Sequence, residues 1–199
     1  VAVTVDPSGK YAYVANAAAS TVSQFTVGAN GALTPMATPT VTTGTQPYSV
    51  VVDPSGKYAY VANFSSNTVS QFVIGAGGSL TPMATAAVAT GTSPLSVTVD
   101  PSGKYAYVAN GGSSTVSQFT IGANGSLIPM ATAAVSTGST PAFISVDPSG
   151  KYAYVANAVS NNVSQFSIGA DGSLTPLATA VVSAGTGSRA VTTTYAPTH

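Results

Sequence analysis

The segment Asp6-Pro7-Ser8-Gly9-Lys10-Tyr11-Ala12-Tyr13-Val14-Ala15-Asn16 recurs residue for residue from Asp53, Asp100 and Asp147, at a constant spacing of 47 residues. A fixed period of this length means one supersecondary unit copied in series. Each copy is too small to bury its own apolar faces and buries them on its neighbours.

One unit reads as four strands joined by turns. In the second copy, residues 48–52 are rich in β-branched side chains, and Asp53-Pro54-Ser55-Gly56 then closes a turn. Proline presets φ there, glycine accepts positive φ, and the aspartate can bond the turn amides. Residues 58–62 and 68–74 form the second and third strands. The next turn, Gly75-Ala76-Gly77-Gly78, corresponds to Gly28-Ala29-Asn30-Gly31, Gly122-Ala123-Asn124-Gly125 and Gly169-Ala170-Asp171-Gly172. Asn-Gly and Asp-Gly between apolar runs are hairpin signals. The fourth strand, 79–89, contains Pro82, which removes a ladder donor and places that strand at a sheet edge. No apolar pattern of helical period persists.

These features predict an all-β fold, a β-propeller of four 47-residue, four-stranded antiparallel blades in a single domain, 1–199. The blades fall at about 1–47, 48–94, 95–141 and 142–188. Residues 189–195 align with the start of a blade and predict a fifth inner strand. A fifth inner strand against four of each other strand leaves three arrangements open: a piece of a seven- or eight-bladed ring, a larger ring assembled from two chains, or a head-to-tail filament through unpaired strands. We expect assembly between chains as a homo-oligomer or filament.

Composition excludes several functions. The 199 residues include five basic and five acidic side chains, a formal net charge of zero, so nothing steers the chain to nucleic acid, and membrane insertion is not expected. The longest apolar runs are strand-length, well short of the roughly 20 residues of a spanning helix. Cysteine and Glu are absent and the only histidine is His199. No triad, thiolate or histidine metal site is available, so no catalytic residue, metal or cofactor is expected. The sequence begins at Val1 rather than Met, which reads as processing or as a segment of something longer.

Four of the five aspartates, Asp6, Asp53, Asp100 and Asp147, occupy identical turns and read as turn caps, with a cation-binding ring as the sharper alternative. The lysines beside them, Lys10, Lys57, Lys104 and Lys151, read as solubilising. Tyrosines present in every unit read as packing between blades. Positions where the units differ are better candidates for a specific surface. One such column runs Val1, Tyr48, Leu95, Ala142, Arg189, and another runs Ala17, Phe64, Gly111, Ala158. Tyr48, Phe64, Leu95 and Arg189 are therefore the candidate ligand or partner residues. Asn63, Asn124 and Asn162 match the N-glycosylation pattern, making a glycan a candidate modification.

Tyr13-Val14-Ala15-Asn16 followed by Thr21-Val22-Ser23, with its counterparts at Tyr60, Tyr107 and Tyr154, resembles the YVTN-type propeller repeat. That resemblance covers essentially the whole chain. It implies a propeller and leaves surface-layer proteins, sugar-lactonase-like enzymes and cofactor-bearing domains all open. Lactonase-like members use His, Arg and Glu in the central pocket, and of these only Arg189 has a counterpart here. The expectation is a non-enzymatic, extracellular or cell-surface scaffold that self-assembles through propeller edges. The alternative is part of a sugar-lactonase-like enzyme whose catalytic residues lie outside this segment.

Overall fold

The structure, a computed structural model, describes residues 2–193. Sixteen strands form four separate sheets, each a simple antiparallel meander. The first blade comprises β1 (Val3–Val5), β2 (Tyr11–Asn16), β3 (Thr21–Val27) and β4 (Leu33–Thr42). The second comprises β5 (Pro47–Val52), β6 (Tyr58–Asn63), β7 (Thr68–Ile74) and β8 (Leu80–Ala89). The third repeats this as β9 (Pro94–Val99), β10 (Tyr105–Asn110), β11 (Thr115–Ile121) and β12 (Leu127–Ser136). The fourth is β13 (Pro141–Val146), β14 (Tyr152–Asn157), β15 (Asn162–Ile168) and β16 (Leu174–Ser183). Inner strands β5 and β9, and β9 and β13, lie against each other.

The outer pair of each blade departs from a regular ladder. Phe25 pairs with Pro35, but Ser23 pairs with Thr40, so several residues of β4 bulge opposite Gln24. The Gln24 side chain fills that gap, its Nε2 donating to the Thr38 carbonyl at 2.9 Å. Gln71, Gln118 and Gln165 do the same for Thr85, Thr132 and Thr179. A proline on the outer strand thus costs a ladder bond that a glutamine amide partly restores.

The apolar core lies between blades. One cluster joins Tyr13, Ala15 and Val22 of the first blade to Val50, Val61, Phe72 and Leu80 of the second. Two more, equivalent by the repeat, join the second blade to the third and the third to the fourth. Polar locks reinforce each junction. The Tyr13, Tyr60 and Tyr107 hydroxyls donate at 2.6 Å to the carbonyls of Gly78, Gly125 and Gly172. The amides of Leu80, Leu127 and Leu174 donate to Oε1 of Gln24, Gln71 and Gln118 at 2.6–2.7 Å. Gly78 has φ +81°, and a Cβ there would meet the Tyr11 ring at 2.2 Å. The hairpin sequence therefore serves both its own turn and the neighbouring tyrosine.

The arc has two bare ends. Leu33 is 50% exposed where Leu80, Leu127 and Leu174 are 5–6%, and Val3 is 65% exposed where Val50 and Val97 are 5%. At the other end Tyr152 and Val182 are exposed and Tyr154 only half-buried.

The predicted fifth inner strand is corrected over the described part of its range. Residues 189–193 form no strand, and 194–195 lie outside the described residues. A strand needs a ladder partner, and the second strand that would pair with it has no counterpart among the described residues. The segment is held by other means. Gly187 donates its amide to Asn161 Oδ1 at 2.8 Å, and Thr193 Oγ1 donates to the Val146 carbonyl at 2.9 Å.

Candidate functional site

The inner strands begin at one face of the arc, and their first side chains converge there. A cleft of about 430 Å³ is lined by Tyr48, Ser49, Leu95, Ser96, Phe143 and Arg189, among others. Tyr48, Leu95 and Ala142 each follow the proline that opens β5, β9 or β13. Those three prolines are buried and each follows a residue in the left-handed region: Gln46 at φ +55°, Ser93 at +54° and Thr140 at +55°. The same bend recurs at Gly187, φ +70°, which aims the following segment so that Arg189 enters the same cleft.

Phe64 stands behind the cleft wall. It lies in the loop between β6 and β7, and its ring meets Tyr48 with centroids 5.1 Å apart, tilted by 39°. Its amide donates to the Gln46 carbonyl at 2.8 Å, tying that loop to the start of β5. An offset aromatic pair of this kind fixes the Tyr48 rotamer. All four residues singled out by the differing columns therefore meet at one place. Val1, which heads the first column, lies outside the described residues.

Ser49, Ser96 and Phe143 were missed. They occupy the next alignment column, Ala2, Ser49, Ser96, Phe143, Ala190, which differs between units just as much. Ser49 Oγ accepts the Val97 amide at 3.2 Å and Ser96 Oγ the Ile144 amide at 3.4 Å. Accepting in this way leaves each hydroxyl proton free to donate.

Charge is divided between the two faces. Each inner strand runs from the cleft to its Asp-Pro-Ser-Gly turn, roughly 16 Å away for a five-residue run. The aspartates and lysines sit in those turns and Asp171 in a hairpin at the same end, so Arg189 is the one charged side chain at the cleft among the described residues.

The four turn aspartates act as caps. Asp6 Oδ1 accepts the amides of Lys10 and Tyr11 at 2.8 and 2.7 Å, and Oδ2 accepts the Ser8 amide and hydroxyl. Asp53, Asp100 and Asp147 repeat this. At Asp6 and Asp147 burial raises the carboxyl pKa, but the serine hydroxyl and the three amides outweigh it and hold the group below the ordinary value. With its oxygens committed to its own turn, each carboxylate is set up to close a hairpin. Among the described residues no three acidic or histidine side chains gather into a metal cluster.

Two of the three glycosylation candidates are corrected by burial and bonding. Asn63 is fully buried, its Nδ2 donating to Thr68 Oγ1 and Ser70 Oγ at 3.0 and 2.9 Å. Asn162 accepts at Oδ1 from Asn157 Nδ2 at 2.8 Å within β15. Only Asn124, in an exposed hairpin turn, stands clear of the fold.

Comparison with known proteins identifies the architecture. The model of the lactonase, seven-bladed β-propeller family matches residues 2–192. A Bacteroides fragilis protein provisionally assigned as a 6-phosphogluconolactonase is 26% identical with a TM-score of 0.81, and the match covers 92% of this chain and 54% of that one. The Pseudomonas aeruginosa periplasmic gluconolactonase is 21% identical at TM-score 0.81, with 94% and 54% covered. Hydrazine synthase of Kuenenia stuttgartiensis shares the fold at 23% identity and TM-score 0.69, with 86% and 46% covered. The chain thus spans about half the length of the structures it matches. No curated protein matches it.

These findings overturn the expectation of a non-enzymatic surface scaffold, because the family and its lactonase neighbours point to an enzyme. The missing His and Glu misled because catalytic groups of a propeller come from several blades, and four blades need not hold all of them. The chain belongs to the lactonase, seven-bladed β-propeller family.

Proposed function

We propose that this chain forms four blades of a sugar-lactonase propeller and carries the substrate-binding side of its active-site cleft. The observation that carries the reading is the convergence of Tyr48, Leu95, Phe143 and Arg189 on one cleft at the inner-strand ends, in a chain matching a lactonase family. The YVTN character of the repeat is part of the same reading, supported by Tyr-Val-Ala-Asn at the end of the second strand in every blade.

In lactone hydrolysis water adds to the ring carbonyl and the ring C–O bond breaks, leaving a carboxylate and an alcohol. Arg189 supplies a fixed positive charge for an anionic substituent or the carboxylate formed, with a fork geometry suited to either. Tyr48 and Leu95 offer apolar walls to the sugar ring, and the Ser49 and Ser96 hydroxyls offer donors. No carboxylate or imidazole among the described residues lines the cleft, so the group that activates water belongs to blades outside them.

The test is calorimetric titration with gluconate and with 6-phosphogluconate, stable products of the reactions named for the relatives. Binding that weakens by about tenfold or more in Arg189→Ala supports the reading, in line with a charged hydrogen bond of roughly 1.5–3 kcal/mol. Equal affinity of wild type and variant contradicts it.

A further inference from the structure

The bare faces at the two ends of the arc are the two halves of one interface, and we propose that a second copy of this chain covers both, head to tail. Within the chain this interface is built three times. Each time the leading blade offers a tyrosine hydroxyl and a glutamine Oε1, and the following blade offers a glycine carbonyl and a leucine amide. The fourth blade ends in the leading half, with Tyr154 and Gln165 at the equivalent positions and Val182 47% exposed beside them. Its counterparts Val41, Val88 and Val135 pack onto the three apolar clusters.

The first blade carries the following half. Gly31 is exposed where Gly78, Gly125 and Gly172 are buried, and Val3, Val5 and Leu33 are 50–65% exposed. A face that is bare at one end therefore has its complement bare at the other, in residue type and in position. In the pair, Tyr154 of one copy donates to the Gly31 carbonyl of the second, and the Leu33 amide of the second donates to Gln165 Oε1. Two such contacts close a two-chain ring of eight blades, within the range propellers adopt. The adjustment from a seven-bladed curvature is roughly 6° per junction. Covering both faces removes apolar area from water on the pattern the molecule already uses. The inference is independent of the lactonase reading, since none of these residues lines the cleft.

Sedimentation equilibrium of the 199-residue chain tests it. The expected species has twice the 19.5 kDa chain mass. Leu33→Asp and Val182→Asp each abolish it, and an equal mixture of the two variants restores a dimer through the one intact pair of faces. Both positions are solvent-exposed in the single chain, so circular dichroism remains that of wild type, and Val3→Lys gives a second route to blocking the first face. Three results overturn the proposal: wild type that stays monomeric, which assigns the faces to other blades; a dimer that survives both substitutions; or a mixture that remains monomeric. Product binding in the cleft by Leu33→Asp separates this outcome from the fate of the lactonase reading.

Discussion

The fully buried hydroxyl of Tyr60 donates a 2.6 Å hydrogen bond to the carbonyl of Gly125, 65 residues along the chain and in the next blade. The contact recurs as Tyr13–Gly78 and Tyr107–Gly172 and joins each blade to the one after it. It shows why tyrosine is required in the second strand: the ring fills the space between sheets while its hydroxyl satisfies a carbonyl that water no longer reaches.

Replacing Tyr60 with Phe leaves that carbonyl buried without a partner. The expected loss of stability is about 1–3 kcal/mol. Tyr154→Phe alters the same position in the fourth blade, where the tyrosine is half-buried, and changes the free chain by less than about 0.5 kcal/mol. Urea unfolding of the two variants reads the difference.

Leucine at the start of the outer strand gives a parallel contrast in apolar burial. Leu80 is 6% exposed and Leu33 50%. Leu80→Ala is expected to cost about 2–5 kcal/mol by transfer and cavity formation, and Leu33→Ala less than about 0.5 kcal/mol in the free chain. Thermal unfolding at low protein concentration checks both.

Thr140 holds φ at +55° although it is β-branched, and the left-handed region costs a non-glycine residue roughly 1–2 kcal/mol. The repeat itself places Gly187 at the equivalent position. Thr140→Gly is therefore expected to raise stability by up to about 1 kcal/mol after the entropy lost by glycine, measured by denaturant titration.

Stability should fall at both extremes of pH. The Asp6 and Asp147 carboxyls are held below the ordinary value by their turn hydrogen bonds, once burial is overcome. Their contribution is present above the unfolded pKa of about 3.9 and is lost as pH falls through the folded value. Burial, aided by nearby aspartates and tyrosines, pushes Tyr13, Tyr60 and Tyr107 upward. Their contribution is full below the unfolded pKa of about 10 and is lost above it. Urea midpoints across pH, with Tyr60→Phe flattening the alkaline side, test both signs.

Much of this was legible in the sequence because it is local. Strand alternation, the Asp53-Pro54-Ser55-Gly56 turn and Pro82 on the outer strand each act within a few residues, so the blade could be read from one repeat. The cleft was legible for a different reason. Near-identical copies make differences informative, and Tyr48, Leu95 and Arg189 stand in a column that differs. The Tyr48–Phe64 ring contact depends on a loop returning to the head of β5, which no spacing rule encodes. Gln24 read as an ordinary polar strand residue, since its role depends on a bulge in β4 and on a leucine amide 56 residues away. The fifth inner strand failed because sequence preference alone does not supply a ladder partner.

The central claim is that the inner-strand ends around Arg189 form the binding side of a lactonase cleft. Backbone NMR of the 199-residue chain, titrated with a sugar-acid product, tests it most directly. The account predicts shift changes concentrated at Tyr48, Ser49, Leu95, Ser96, Phe143 and Arg189, and absent from the Asp-Pro-Ser-Gly turns at the opposite face. Changes confined to those turns, or none at saturating ligand, would contradict it.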